Sequence, residues 1–213
     1  MGPRSLEFSW LGAAVADTPV AVTSGFLGAG FFYYARLALN GHRALNEVGR
    51  ALAATSSESV LDTGCGCGWF CQVVPGSYLG IDLDTDYLDF ARWRWGLSAR
   101  RFERMLLEDL PADAQFDKAI MASVLHHLSD DVAHTVLGTL ARVVRNRLVV
   151  LDLDPDASRG IQTFFLNHDR GEHIRAPARQ RELLATHFKV VDQRSFPSST
   201  QLAVHTLFTC EPR

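Results

Sequence analysis

The residues whose types and spacing point most directly to chemistry lie together in Val60-Leu61-Asp62-Thr63-Gly64-Cys65-Gly66-Cys67-Gly68. An apolar run ends in a carboxylate, and three alternating glycines follow. Such a loop turns tightly and brings backbone N–H groups against a ligand. It is not the G-x-G-x-x-G fingerprint of a dinucleotide binder, and it lacks the Lys-Ser/Thr ending of a phosphate-binding P-loop. A second apolar run, Gly80-Ile81-Asp82, ends in another carboxylate twenty residues after Asp62. An acidic residue at the carboxyl end of a second strand can hold two ribose hydroxyls, in the crevice where the strand order of an α/β sheet reverses. Asp84 and Asp86 just beyond suit a helix start, where the dipole favours negative charge.

His126 and His127 stand in a Leu-His-His-Leu run at the start of a helical stretch. An ordinary histidine pKa of about 6.5 suits proton transfer near neutrality, so either could act as a base; packing or capping is the plainer use. His168, Asp169, Arg170, Glu172, His173 and Arg175 form a second polar cluster. It reads either as a solvated surface or as a substrate site, in which Arg170 and Arg175 would clamp an anion. Three of the four cysteines, Cys65, Cys67 and Cys71, fall within seven positions, with Cys210 far away. Cys65 and Cys67 are too close for an easy bridge, and no second pair completes a zinc or cluster pattern. Packed, reduced thiols and no metal are expected.

These residues need a scaffold, and the hydrophobic rhythm supplies one. Strands are predicted over 59–62, 78–82, 102–107, 116–121 and 147–152, with helices over 85–95 and 130–144 between them. Strands alternating with helices imply a mostly parallel sheet covered on both faces. A helix over 36–54 precedes the first strand, bent or broken near Asn40-Gly41. Ahead of it, residues 1 to about 35 form an apolar, Gly-rich leader without a clean period. After the fifth strand comes a long polar loop over 155–175, then a helix over 178–187 and two strands over 188–195 and 202–209 that pair antiparallel. The expected fold is α/β, a single Rossmann-like seven-stranded sheet with its last strand antiparallel. Residues 1–54 read as a helical, substrate-covering segment and 55–213 as the ligand-binding domain.

Composition narrows the function. The chain has 213 residues, 47% hydrophobic and 21% charged, with a net charge of −3. That suffices for one full core and rules out global disorder. It offers no basic balance for nucleic acid or anionic membranes. The uncharged stretch 19–35 has 17 residues, at the short edge of the ~20 that a spanning helix needs. Stable insertion is not expected, and peripheral membrane contact stays open. The opening MGPRSLEF lacks a signal-peptide pattern, and Leu6 breaks the myristoylation motif. A cytoplasmic protein is expected.

The chain resembles the class I S-adenosylmethionine-dependent methyltransferases over residues 55 to 153, and more weakly to 211. The carrying residues are Val60-Leu61-Asp62 with Gly64-Cys65-Gly66 and Gly68, Phe116-Asp117, Ser123-Val124-Leu125-His126-His127-Leu128, and Arg147-Leu148-Val149-Val150. The resemblance implies S-adenosyl-L-methionine as cofactor. The loop Gly64, Cys65, Gly66 and Gly68 would pass beneath its methionine part, and Asp62 would orient the loop or bind near the amine. Asp82 would take the ribose hydroxyls and Leu83 would pack on adenine. Met121, Ala122 and Ser123 would line the pocket floor. The family often has an acidic residue just after strand three, where this chain has Leu106 and Leu107; Asp109 or a backbone group would serve instead.

Methyl transfer demands alignment and exclusion of water more than catalytic side chains. The expected reaction is therefore transfer to an oxygen, nitrogen or carbon of a small-molecule acceptor. Phe26, Phe31, Phe32, Tyr33 and Tyr34 with Phe164 and Phe165 would give it an apolar cover, and His168, Arg170 and Arg175 a polar end. The alternatives are a protein or nucleic-acid methyltransferase, or a non-catalytic cofactor-binding partner. Base methylation is disfavoured because Met121-Ala122-Ser123-Val124 stands where base methyltransferases of this fold carry Asn/Asp-Pro-Pro-aromatic. The oligomeric state is left open.

Overall fold

Alternation along the apolar runs decides the architecture. In β1 (Ser59–Thr63) and β4 (Phe116–Ala122), Leu61, Ala119 and Met121 face one apolar layer, while Val60, Ile120 and Ala122 face the other. Both faces of the sheet are therefore buried, and these strands read as continuous hydrophobic runs. The computed structural model describes residues 6–7, 19–20, 25–40, 42–167 and 171–213.

With β2 (Ser77–Asp82), β3 (Arg100–Arg104), β5 (Val144–Leu153), β6 (Phe188–Pro197) and β7 (Val204–Pro212), a seven-stranded sheet forms in the order β3-β2-β1-β4-β5-β7-β6. The first five strands pair parallel, and β7 runs antiparallel between β5 and β6. The expected fold class holds. The order reverses beside β1, which has β2 on one side and β4 on the other. The third strand starts two residues earlier than predicted and ends at Arg104. Its Arg-Arg-Phe-Glu-Arg sequence buries Phe102 and leaves charge on the sheet edge, where charge hinders pairing with another chain.

Helices α4 (Asp130–Val143) and α6 (Pro177–His187) cover one face through Val136, Leu137, Leu140, Leu183 and Leu184. The other face carries α1 (Phe26–Asn40), α2 (Arg43–Leu52) and α3 (Thr85–Trp95). The predicted helix over 36–54 is thus two helices, parted at the expected Asn40-Gly41 position, with Gly41 itself outside the described residues. The leader, read as aperiodic, is helical from Phe26. Ala29 and Tyr33 are buried one turn apart on its inner face, while Leu27, Phe31 and Tyr34 are exposed. Apolar residues on both faces hide the helical period. Within the polar loop, Ile161–Asn167 forms a short helix, α5. Among the described residues, no helix is long and apolar enough to cross a membrane.

Candidate cofactor and active site

β1 delivers Asp62 and Thr63, both buried, to the reversal point, and the glycine loop follows at once. The loop is pinned from β2: the Gly64 and Cys65 N–H groups both donate to the Ile81 carbonyl, at 2.9 and 3.0 Å. Its glycines do different jobs. Gly64 has φ +67°, and a Cβ there would lie 2.5 Å from Val124 Cγ2, so close packing excludes a side chain. Gly66 has φ +50°, and a Cβ there would meet nothing nearer than Tyr87 at 4.0 Å. Its missing side chain opens space instead of relieving a clash.

That space belongs to a cleft lined by Tyr33, Gly64, Cys65, Gly66, Cys67, Trp69, Phe70 and Ala122. Loop residues from the end of β1 and Ala122 from the end of β4 flank the point where strand order reverses. Next to Ala122, Ser123 sits in the left-handed region at φ +58°, its N–H donating to Leu151 at 2.8 Å. A non-glycine residue held there marks a backbone fixed by its surroundings.

Two buried carboxylates underlie the loop. Asp62 Oδ2 accepts from the Tyr78 hydroxyl at 2.7 Å, while Oδ1 has no hydrogen-bond partner among the described residues. Burial, reinforced by the charge of Asp82, outweighs the Tyr78 bond and pushes the Asp62 carboxyl up to about 7. Asp82 accepts from Gly66 N–H at 2.7 Å through Oδ2, and from the Leu83 and Asp84 N–H groups at 2.7 and 3.0 Å through Oδ1. Burial raises its pKa against those bonds. Asp84 caps α3 as predicted, accepting from the Asp86 and Tyr87 N–H groups.

The strand order, the glycine loop at its reversal and the carboxylate closing β2 carry the resemblance, and residues 60–147 match the family model described as a methyltransferase domain. That stretch is similar to a methyltransferase domain. The chain is similar to O-methyltransferase cnsE of Penicillium expansum, 34% identical over 127 residues that cover 54% of this chain and 45% of that one. O-methyltransferase resE of Aspergillus sclerotiorum is 31% identical over 126 residues, covering 54% and 47%. The chain spans about half the length of these curated relatives. In fold it is similar to magnesium protoporphyrin IX methyltransferase from Synechocystis PCC 6803, solved with bound SAH. There the TM-score is 0.66 at 18% identity, covering 86% of this chain and 94% of that one.

Of the residues the sequence nominated for the cofactor, Gly64, Cys65, Gly66 and Ala122 line the cleft. Gly68 closes the loop, its N–H donating to the Cys65 carbonyl at 2.9 Å. Met121 alternates to the other side of β4 and is wholly buried in the α4/α6 layer. Leu83 lies half-buried beyond Asp82. Asp109 is exposed, and its carboxylate turns back on the Leu106 N–H at 3.4 Å; Glu108 beside it is the half-buried acid, its pKa raised by burial and by Asp109.

The two histidines part company. His126 is buried, with Nδ1 2.5 Å from Asp152 Oδ1 and its backbone N–H donating to Asp152 Oδ2 at 3.1 Å. His127 is exposed beside it. Burial would raise the Asp152 pKa, but the His126 ring and the hydrogen bonds to it bring the carboxyl below its usual range. Neither histidine lines the cleft. His126 ties the turn after β4 to β5, and the His173 N–H covers its carbonyl at 2.9 Å.

Arg175 is not available as an anion clamp. Its guanidinium donates to Asp130 and to the carbonyls of Leu125, Leu128 and His173 at 2.5–2.9 Å, fastening the same turn. His168 and Arg170 lie outside the described residues. Phe31 and Tyr34 are 78% and 57% exposed, whereas Tyr33 between them is 7% exposed and lines the cleft. Sequence reading had Tyr33 only as one ring of the apolar cover, and it missed Cys67, Trp69 and Phe70 as lining residues. The spacing Phe26, Ala29, Tyr33, Leu37 was the available signal for the first, and adjacency to the last glycine for Trp69 and Phe70. Cys65 and Cys67 pack with their thiols toward the carbonyls of Gly66 and Ala29, at 3.6 and 3.5 Å. Burial, followed by the nearby carboxylates, drives the Cys65 thiol well above its usual range, which leaves no thiolate nucleophile there.

Proposed function

We propose that this protein transfers a methyl group from S-adenosylmethionine to an oxygen of a small-molecule acceptor. The observation that carries the reading is the cleft at the β1/β4 reversal, floored by the glycine loop and underlain by Asp62 and Asp82. The residues present fit the cofactor. Asp62 lies under the loop, outside the cleft lining, and its Oδ1, unpartnered among the described residues, sets an acceptor beneath the amine end of the ligand, while the open space over Gly66 accommodates a chain laid across the loop. Asp82 has three backbone donors and retains lone-pair capacity for a sugar hydroxyl.

When bound, S-adenosylmethionine supplies a methyl on a positively charged sulfur, an electrophile strong enough to need no further activation. The work left to the chain is binding, orientation and dryness. The pinned loop sets the position of the ligand against Ala122. Tyr33, Trp69 and Phe70 wall the cleft with rings that keep water out. His126 and Arg175 hold the turn after β4 and so position the acceptor side. The choice of oxygen is supported by the two relatives named as O-methyltransferases, and the choice of a small acceptor by a cleft covered from α1. Residues 1–54 act in this reading as the substrate-covering segment.

Incubation of the protein with methyl-labelled S-adenosylmethionine and a metabolite extract, followed by mass spectrometry, should find a small molecule that gains one methyl on oxygen. Label appearing only in protein or nucleic acid, or no transfer with measurable cofactor binding, would sink it. Asp82→Ala should weaken cofactor binding by about 1–3 kcal/mol; calorimetric dissociation constants equal to the parent's would remove Asp82 from the sugar role.

A further inference from the structure

Of the described buried side-chain polar atoms without a hydrogen-bond partner, Trp69 Nε1 belongs to a residue that lines the cleft; Asp62, Thr63, Arg147 and Gln180 carry others and do not line it. An indole N–H can only donate, and burying it unmet is unfavourable. Trp95, the other buried tryptophan among the described residues, donates its Nε1–H to the Cys67 carbonyl at 3.1 Å, so the packing here does satisfy indoles where an acceptor exists. The Tyr33 hydroxyl, on a second residue lining the same cleft, also makes no hydrogen bond among the described residues. Burial raises its pKa, which keeps it a neutral donor. Among the described residues, no Lys, Arg or His side chain lines the cleft. Two residues that line the cleft therefore each carry a neutral side-chain donor without a hydrogen-bond partner among the described residues, one from the turn after the glycine loop and one from helix α1.

We propose that the Trp69 indole N–H and the Tyr33 hydroxyl together bind the carboxylate of the cofactor's amino-acid end. This rests on the cofactor reading above and adds to it a recognition element supplied partly by α1. A carboxylate has acceptor sites for both donors at once, and hydrogen bonds to a charged group are the stronger kind. The pairing also gives α1 a reason to sit where it does: ligand binding would tie Tyr33 to the loop side of the cleft.

The test is calorimetric titration of the full chain with S-adenosylhomocysteine and with its decarboxylated counterpart, S-adenosyl-3-thiopropylamine. The parent should prefer the carboxylate-bearing ligand. Trp69→Phe and Tyr33→Phe keep a ring in place and remove one donor each. Each should weaken S-adenosylhomocysteine about tenfold while leaving the decarboxylated ligand within about twofold, so the preference collapses. Equal weakening of both ligands, or an unchanged preference in both variants, would overturn the proposal while leaving the cofactor reading intact. Failure of the parent to bind either ligand would overturn both. Tyr33→Phe deletes a single oxygen, so the experiment stands even if Trp69→Phe does not fold.

Discussion

Asp62 shows how one buried carboxylate can link ligand charge to pH. With its pKa raised to about 7, it holds a proton in the folded protein where the unfolded chain, near 3.8, does not. Stability from this group is therefore greatest at low pH and declines as pH rises from about 4 to about 7. A cationic ligand reverses the preference, because it favours the ionised carboxylate. S-adenosylmethionine should bind more tightly as pH rises from 5.5 to 7, with proton uptake by buffer on binding. Asp62→Asn should flatten that dependence. Calorimetry in two buffers of different ionisation heat checks it, and a parent affinity constant over this range would show that Asp62 does not face the ligand's charge. The residue itself was legible from Val60-Leu61-Asp62 ahead of the glycines. Its pairing with Tyr78 was not, because that contact is set by how β1 and β2 register, Asp62 lying opposite Gly80 with Tyr78 two residues away.

At the level of elements, the turn between β4 and α4 depends on chain that is distant in sequence. Asp152 from β5 grips His126, and Arg175, ahead of α6, ties together Leu125, Leu128, His173 and Asp130. Its partner Arg179 adds a second ion pair to Asp130; the hydrogen bonds from Arg179 and then Arg175 hold that carboxyl below its usual range. Removing the buried guanidinium strips three carbonyls of their donor and unbalances a charge. Arg175→Ala should cost about 2–4 kcal/mol of stability, whereas Arg179→Ala, at an exposed position, should cost clearly less. Thermal or denaturant unfolding reads both; equal small losses would show that Arg175 is free to serve a substrate after all. Sequence placed Arg175 in a polar cluster and could go no further, since a charged side chain in a loop looks the same whether it faces solvent or caps carbonyls. The strands were readable because apolar runs bounded by Gly, Asp and Ser leave little choice of element. Helix α1 was not, because Leu27, Phe31 and Tyr34 on its outer face are as apolar as Ala29 and Tyr33 on its inner one.

For the whole molecule, the question is whether α1 is a wall of the fold or a cover of the site. Its buried face packs on α3, with Tyr33 5.3 Å from Phe90 and 6.2 Å from Trp95 between ring centroids, and Phe26 against Phe90 and Trp93. The Gly25 N–H also donates to Asp86 on α3 at 3.0 Å. None of these contacts is with a strand, and α2 independently covers the sheet through Leu45, Val48 and Leu52. Removing residues 1–34 should therefore leave the sheet intact. It would expose the ring surface of Phe90 and Trp95, lowering stability by about 2–4 kcal/mol and the melting temperature by about 5–15 °C. The same cut removes Tyr33 from the cleft and opens it to water. Cofactor binding should persist at about tenfold lower affinity, while methyl transfer to the acceptor should be lost, since exclusion of water and alignment are what the chain contributes to this reaction. Circular dichroism, melting curves, titration with S-adenosylhomocysteine and a transfer assay on the shortened chain separate the possibilities. A chain that fails to fold makes α1 a wall. One that folds and transfers methyl at the parental rate makes it neither wall nor cover. A folded, cofactor-binding, inactive chain is the outcome expected of a helix that closes the site over its ligand.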